Sequence, residues 1–173
     1  LYTIHEYYHS GRDKIMMING EKKNGGSFQK SPLDYAKDLQ SFIEDTTNQL
    51  AKQAAAHNRA FKRDYDRVYI DPAAKGFINQ CHQIGIKKIG QATNDVKPGI
   101  GFVASLITSG NYRIVHWCIN TIKGFGMYVW DEKAQDRGED KPLKKDDDAM
   151  DANRYGCFSM SRYFKHVLKE SAA

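Results

Sequence analysis

The stretch Arg67-Val-Tyr-Ile-Asp-Pro72 indicates the fold class of this chain. Its β-branched and aromatic residues favour a strand, and the proline after Asp71 favours the start of a helix. Hydrophobic spacing then predicts a strand at residues 86–89 and a helix whose apolar stripe includes residues 100–107. Strands that alternate with helices predict an α/β fold, with a mixed sheet that has parallel neighbours and helices on its faces.

Periodicity and turn residues predict further elements on both sides of this stretch. These elements are a strand at residues 2–8, a partner strand at residues 14–18, a long amphipathic helix that starts at Ser31-Pro32, a strand at residues 112–117, a hairpin or mobile excursion at residues 127–143, and a last helix at residues 147–168. Met150, Cys157 and Phe164 recur every seven residues on the last helix, which indicates a packed face.

The composition predicts one folded domain over residues 1–173. Hydrophobic residues make up 40% of the chain and charged residues 27%, which is typical of globular proteins. A length of 173 residues is enough for one domain with a core and short for two. The formal net charge of +5 suits a polyanionic partner without requiring one.

Cys81, Cys118 and Cys157 predict buried thiols, because they are odd in number, far apart and outside any C-x-x-C pair. Cys81-His82 and His116-Trp-Cys118 contain zinc-type ligands, but their spacing fits no common zinc site. No apolar run approaches the length of a membrane span, and the first residues do not resemble a signal peptide. We therefore expect a cytosolic protein.

Asp71 lies at the carboxyl end of the predicted strand, immediately before a proline. Ligands gather at this edge of open α/β sheets, so a carboxylate there can point into a shared cleft. Aspartate is also a favoured helix N-cap, where it is stabilised by the helix dipole. Position alone leaves both alternatives open, a catalytic carboxylate and a helix cap.

A second acidic group lies in the run Lys144-Lys-Asp-Asp-Asp-Ala-Met-Asp151. Asp148 and Asp147 lie three and four residues before Asp151, so the carboxylates share one face of a helix. Mg²⁺ and Mn²⁺ prefer carboxylate oxygens and would relieve the repulsion. The alternative is a capped helix start with solvated acidic residues. We expect Asp146 or Asp147 to be the cap and Asp151 to face a metal, with Asp148 as a further candidate ligand.

Separated carboxylates that converge at a sheet edge suit phosphodiester cleavage by two metal ions. One ion, about 4 Å from the other, activates the attacking water, and the second stabilises the leaving oxygen. Basic residues near these segments can contact phosphate groups, although a solvated surface explains each of them equally well. These candidates are Lys75, Lys97, Arg137, Lys144, Lys145 and Arg154.

Four ordered segments resemble the C-terminal nuclease domain of tailed-phage large terminases, in the branch found in phages and prophages of Gram-positive bacteria. These segments are Tyr69-Ile-Asp-Pro-Ala-Ala74 with Gly76-Phe77, Asn94-Asp-Val96 with Gly99-Ile100, Tyr128-Val-Trp-Asp131, and Asp147-Asp-Ala-Met-Asp-Ala-Asn-Arg-Tyr155. Their order and spacing match over nearly the whole chain. The resemblance implies a ribonuclease-H-like fold, an acidic cluster that binds Mg²⁺ or Mn²⁺, and an N-terminal packaging ATPase in the full protein.

By position, the resemblance makes Asp71 the second acidic residue of the family and Asp151 the last, with Asp148 at the polar position before it. Asn153 lies where the family has an apolar residue. The family's first catalytic aspartate lies on a central strand that precedes residues 2–8. We therefore expect the natural protein to continue upstream of Leu1, because a sheet without this strand would have two unpaired edges.

The resemblance implies a metal-dependent endonuclease that cuts concatemeric double-stranded viral DNA during packaging in the bacterial host cytoplasm. Its implied partners are DNA, the ATPase domain, the small terminase subunit and the portal protein. One alternative is a catalytically incomplete DNA-binding or motor-docking module of the same fold. Another is a different ribonuclease-H-like nuclease, such as a resolvase, which an upstream ATPase with a phosphate loop would exclude.

Overall fold

The computed structural model describes residues 1–9, 15–18, 21–24, 29–62 and 64–164. Contacts between Cα atoms divide the chain into two compact units. The first unit comprises Leu1–Glu6, Tyr69–Ala73 and Gly90–Ala173, and the second comprises Tyr7–Val68 and Ala74–Ile89. The interpretation of residues 1–173 as one domain stays a prediction.

The described elements form a mixed α/β fold with helices beside short strands. In chain order they are β1 (Tyr2–Thr3), β2 (Ile15–Ile18), β3 (Glu21–Asn24), α1 (Pro32–Ala56), β4 (Val68–Ile70), α2 (Lys75–Gln83), β5 (Ile89–Gln91), α3 (Val96–Thr108), β6 (Arg113–Ile114), α4 (Ile119–Met127), α5 (Glu132–Gln135) and α6 (Asp148–Ser159). None of the helices in this described part of the chain is long and apolar enough to cross a bilayer.

In the second unit, α1 begins where the sequence predicts. Ser31 is its N-cap, and the Ser31 hydroxyl accepts from the Asp34 backbone N–H while the Asp34 carboxylate accepts from the Ser31 backbone N–H. Such reciprocal capping contributes about 1 kcal/mol to the stability of a helix. The helix α1 packs against α2, and Ala36 and Cys81 on these helices are fully buried.

The pairing of the first strand differs from the prediction. β1 pairs in parallel with β6, and β2 pairs antiparallel with β3 instead of with the first strand. Only two residues separate β2 from β3, and the sequence there is Asn19-Gly20, a type that favours a local hairpin. The predicted strands at residues 2–8 and 112–117 are also shorter, since β1 and β6 contain two residues each.

A second strand pair joins β4 to β5. The Val68 N–H donates to the Lys88 carbonyl and the Ala92 N–H donates to the Ile70 carbonyl, so both strands advance in the same direction and are parallel. β5 begins three residues later than the strand predicted at residues 86–89 and overlaps it only at Ile89. In the part of the chain that the structure describes, the predicted parallel sheet consists of two separate pairs, β1 with β6 and β4 with β5.

The core of the first unit lies between α3 and α6. One buried cluster is formed by Val103 and Leu106 of α3, by Tyr112 just before β6, and by Cys157 of α6. Met150 and Cys157 are 4% and 3% exposed, which confirms the predicted packed face within α6. The helix α6 ends at Ser159, so Phe164, which also packs against the cluster, lies beyond it and not on one continuous helix as predicted. All three cysteines are free and buried, so that the expectation of buried thiols is confirmed.

The helix α4 was not predicted from the sequence. Two glycines and several β-branched residues lower its helix propensity, and tertiary contacts compensate. A Cβ atom on Gly124 would lie 2.7 Å from Met150 Cε, so glycine is needed where α4 meets α6. At the other end of α4, the Glu6 carboxylate accepts from the backbone and side chains of both Asn120 and Thr121.

Residues 127–143, which were predicted to form a hairpin or mobile excursion, are partly hairpin-like. An antiparallel bridge joins Trp130 to Pro142, and the Asp131 N–H donates to the Lys141 carbonyl. The short helix α5 lies between the two sides, and the Asp131 side chain caps it by accepting from the backbone N–H groups of Lys133 and Ala134. This region therefore has defined local structure, with a helical turn that the sequence did not predict.

Candidate acidic site

Asp71 lies directly after β4, as predicted, but it does not cap α2. Ala74 is the N-cap residue of that helix. The Asp71 Oδ1 atom instead accepts from the Ala73 backbone N–H at 2.8 Å, which closes a turn through Pro72. The helix-cap alternative for Asp71 and the helix start at Pro72 are therefore wrong. The second carboxylate oxygen, Oδ2, is left to accept from the Tyr155 hydroxyl at 2.8 Å.

The helix α6 presents the second acidic group. Asp147 occupies its N-cap position, as one of the two predicted candidates, but the side chain makes no capping hydrogen bond. Asp147, Asp151 and Tyr155 follow one another at intervals of four residues, so they lie along one stripe of the helix. This stripe joins the acidic run to the tyrosine that contacts Asp71.

The Asp151 carboxylate contacts two cationic groups. Lys144 Nζ donates to Oδ2 and an Arg154 guanidinium nitrogen donates to Oδ1, both at 2.8 Å. The side chain of Asp151 is only 16% exposed, and this burial acts to raise its pKa. The hydrogen bonds from Lys144 and Arg154 outweigh burial and lower the pKa below its ordinary value. Asp151 is therefore a carboxylate at neutral pH.

Lys144 contacts both acidic residues of the stripe. Its Nζ atom lies 2.8 Å from Asp147 Oδ2 and 2.8 Å from Asp151 Oδ2. The contact with Asp147 is an ion pair whose angles fall outside hydrogen-bond geometry, so Asp147 Oδ2 is buried without a hydrogen-bond partner among the described residues. The Lys144 side chain itself is 66% exposed.

Arg154 is held inside the first unit. The residue is 3% exposed, and one guanidinium nitrogen donates to the Asn94 carbonyl while another donates to Asp151. The guanidinium also lies 4.7 Å from the centre of the Tyr155 ring. A Cβ atom on Gly99 would lie 2.8 Å from Arg154 Cγ, so the glycine leaves room for the arginine stem. These contacts favour an internal role for Arg154 over the predicted phosphate contact.

Tyr155 hydrogen-bonds to one predicted carboxylate and senses the charge of the other. Burial, the hydrogen bond to Asp71 and the nearby charge of Asp151 raise the pKa of its hydroxyl to about 12. Asp71 and Asp151 therefore act on the same phenol, although 80 residues separate them in sequence. The sequence reasoning gave Tyr155 no role. Tyr155 lies four residues after Asp151, and this spacing could have predicted that both side chains share one face of the helix.

The remaining predicted site residues lie at the surface. Asp148 is exposed and makes no hydrogen bond or ion pair with any described residue. Lys97 pairs with Asp140, and Arg137 lies 3.9 Å from Glu139. Lys75 and Lys145 are exposed, and neither forms an ion pair with any described residue.

The described residues fit a divalent metal in the type of donor but not in the number of donors. Asp71 and Asp151 supply the hard carboxylate oxygens that Mg²⁺ and Mn²⁺ prefer. No group of three histidine, cysteine, aspartate or glutamate side chains within the described ranges has the arrangement of a metal site. A complete site would need a further ligand.

Solved structures identify the fold as large-terminase-like. Two crystal forms of the large terminase from the thermophilic bacteriophage D6E are each 37% identical to this chain over 77% of its length, with a TM-score of 0.63. A third structure of that protein, in complex with ATP-gamma-S, is 38% identical over 75% of this chain, with a TM-score of 0.61. No protein-family model and no curated protein matches the chain.

The likeness covers only part of these terminases. The matched region spans 30% of the first D6E structure and 29% of the other two. At 37% identity the similarity extends beyond the fold, and it agrees with the resemblance seen in the four sequence segments. The chain is therefore similar to a minor portion of a large terminase.

Proposed function

We propose that this chain is the nuclease module of a tailed-phage or prophage large terminase, with a ribonuclease-H-like fold, from the branch found in Gram-positive bacteria. It would hydrolyse phosphodiester bonds of concatemeric double-stranded DNA in the host cytoplasm. The hydrogen bond from Tyr155 to Asp71, with Asp151 one helical turn before Tyr155, carries the proposal, because these residues lie in a chain 37% identical to a large terminase. An upstream packaging ATPase belongs to the same proposal.

Asp71 and Asp151 would hold Mg²⁺ or Mn²⁺ through their carboxylate oxygens. Two such ions, when bound, activate a water molecule and offset the charge on the leaving oxygen. Tyr155 donates to Asp71 Oδ2 and so orients that carboxylate. Asp148, exposed at the start of α6, would be a more peripheral ligand. The resemblance implies that one further acidic ligand would complete such a site.

In this proposal, exposed basic side chains bind the phosphate groups of the DNA. Lys75 and Lys145 are exposed without an ion pair to any described residue, and the side chains of Lys97 and Arg137 are 72% and 62% exposed. Flexible exposed cations suit phosphate groups, which carry affinity rather than sequence preference. The small terminase subunit and the portal protein would be the further partners.

The test is cleavage of supercoiled plasmid with Mn²⁺, by this chain and by a version extended through the natural upstream sequence. We expect the extended protein to cleave, and Asp71→Asn or Asp151→Asn to reduce its rate by about a hundredfold or more. Asp64→Asn is the matched control, because the Asp64 side chain pairs with Lys62 and Lys88 and with none of the residues of the acidic site, so the rate should be unchanged. Equal cleavage by all variants would overturn the proposal.

A second candidate is a catalytically incomplete DNA-binding or motor-docking module. Its support is that Asp151 is already neutralised by Lys144 and Arg154, and that no third acidic ligand joins it in the described chain. In this case Asp71→Asn and Asp151→Asn would change neither Mn²⁺ binding nor cleavage in the extended protein. Replacing Lys75 and Lys145 by glutamine would still weaken DNA binding, most strongly at low salt.

A further inference from the structure

We propose that the cavity between α3, α4 and α6 binds a small uncharged molecule that joins an apolar part, about the size of one aromatic ring, to an oxygen that accepts hydrogen bonds. All residues that line this cavity belong to the first unit. The site is separate from the proposed nuclease chemistry and depends on no metal ion.

The size and the wall of the cavity suit an apolar ring. Its volume is about 180 Å³. Apolar cavities of about 150 Å³ in other proteins bind benzene. Side chains from all three helices form the apolar part of the wall, and they are Ile100, Val103, Ala104 and Ile107 of α3, Phe125 of α4 and Met150 of α6.

The cavity is partly open to solvent along α3. Ile107 is 42% exposed and Ala104 is also exposed, whereas Val103 and Met150 are buried. A ligand can therefore enter beside Ala104 and Ile107 without separation of the helices. The apolar part of such a ligand would leave water, which favours binding.

Three polar groups in the wall are buried and have no hydrogen-bond partner among the described residues. They are the Tyr128 hydroxyl, Asn153 Nδ2 and Arg154 Nε. A buried donor without an acceptor is costly, and most buried polar groups in proteins are paired. A ligand that brings an acceptor to these groups therefore gains more than burial of its ring.

The remaining atoms of Asn153 and Arg154 hold these donors in place. Asn153 Oδ1 accepts from the Tyr112 hydroxyl at 2.9 Å and from the Cys157 thiol at 3.3 Å, which leaves the amide N–H groups free. The two terminal nitrogens of Arg154 donate to Asp151 and to a backbone carbonyl. The wall therefore offers fixed donors, which lowers the entropic cost of binding.

The charges beside the cavity favour an uncharged ligand. Arg154 is already paired with the Asp151 carboxylate, so a second anion would be repelled by Asp151 and would lose its hydration. Burial, with the nearby charge of Asp151, raises the pKa of the Tyr128 hydroxyl, which is therefore a protonated donor at neutral pH. Suitable acceptors are the oxygens of a carbonyl, an amide or a hydroxyl group.

The experiment compares benzamide, benzene and benzoate as probes in the chain extended upstream, with affinities measured by ligand-observed NMR titration. Benzamide combines the ring with a neutral acceptor, benzene lacks the acceptor, and benzoate carries a charge. We expect benzamide to bind most tightly, about fivefold more tightly than benzene for each hydrogen bond gained. Benzoate should bind at least about tenfold more weakly than benzamide.

Two variants locate the binding and its polar contact. Ala104→Leu fills the entrance and should weaken benzamide and benzene binding by about tenfold or more, whereas Ala152→Leu, at an exposed position of α6 outside the cavity, should change neither. Tyr128→Phe removes only the unpaired hydroxyl. It should weaken benzamide binding about fivefold and leave benzene binding unchanged.

Three results would overturn the inference. Equal affinities in Ala104→Leu and Ala152→Leu would place the probes elsewhere on the protein. Equal binding of all three probes, or equal losses of benzamide and benzene in Tyr128→Phe, would contradict the role of the polar groups. Failure of every probe to bind saturably would exclude a small-molecule site and leave an apolar side chain of a partner protein as the occupant. None of these results bears on plasmid cleavage, so the proposed nuclease function stands or falls separately.

Discussion

Glu6 and Asp151 are both partly buried acidic residues of the first unit, but their partners differ in kind. Glu6 accepts four hydrogen bonds from neutral groups of Asn120 and Thr121 at the start of α4. Burial acts to raise the pKa of Glu6, and these hydrogen bonds lower it below its ordinary value. Asp151 instead contacts two cations, Lys144 and Arg154.

The difference separates a structural anchor from a site that can exchange partners. The donors of Glu6 include two backbone N–H groups whose positions are fixed by the helix, and the helix end also favours negative charge. One donor of Asp151 is a lysine on an exposed stem. A carboxylate that is satisfied by fixed neutral donors stabilises the fold, whereas Asp151 has one exposed cationic partner, Lys144, that solvent or another cation can replace.

The largest expected effect is that of Arg154→Met. This change leaves the Asp151 carboxylate with Lys144 alone and removes the contact with the Asn94 carbonyl. We expect the free energy of unfolding to fall by about 3 kcal/mol, as when one partner of a buried ion pair is removed. Urea denaturation measures it. Arg137→Met, at an exposed position, is the control, and an equally small change in both variants would contradict the internal role of Arg154.

Glu6→Gln should have the next largest effect. The amide keeps the size of the side chain but can accept at only one of its two terminal atoms, so some donors of Asn120 and Thr121 lose their partner. The expected loss of stability is about 1–2 kcal/mol, measured by thermal unfolding together with Glu44→Gln at an exposed position of α1. A loss no greater than that of Glu44→Gln would show that Glu6 is not an anchor.

Tyr155→Phe should cost about 1 kcal/mol, because it removes one hydrogen bond to Asp71. The pKa of this hydroxyl is raised from its ordinary 10.0 to about 12, so its contribution to stability is full below pH 10 and is lost as the pH rises toward 12. An ultraviolet titration of wild type should contain a late tyrosine ionisation that the variant lacks. Identical late ionisations in both proteins would contradict the contact between Tyr155 and Asp71.

Lys144→Gln should have the smallest effect on stability, about 0.5 kcal/mol or less, because the Lys144 side chain is 66% exposed. Chemical denaturation at two salt concentrations measures it. A loss as large as that of Arg154→Met would mean that Lys144 is a fixed structural partner of Asp151, and the distinction between an anchored and an exchangeable carboxylate would then not hold.

Local signals predicted the parts of the fold that depend on neighbouring residues. Ser31-Pro32 gave the start of α1, where the Ser31 side chain caps the helix as its position before Pro32 indicated. Pairing over long distances was not predictable in this way. The partner of β1 lies more than a hundred residues later, and α4 depends on contacts with Met150 and Glu6 that its own sequence does not indicate.

For the acidic site too, spacing in the sequence predicted which residues share a helix face but not which residues contact one another. Spacing on a helix identified Asp147, Asp148 and Asp151 as a group, but only the structure shows that Lys144 joins Asp147 to Asp151 and leaves Asp148 exposed. Six basic residues were predicted together as phosphate contacts. Burial separates Arg154 from the others, because composition and position do not determine which cations face solvent.

The most direct test of the central claim, that Asp71 and Asp151 belong to one metal site, is anomalous diffraction from Mn²⁺-soaked crystals of the chain extended upstream. We predict a manganese peak within about 2.1 Å of an oxygen of each carboxylate, or two peaks about 4 Å apart, one beside each. Crystals with no manganese beside Asp71 would contradict the account.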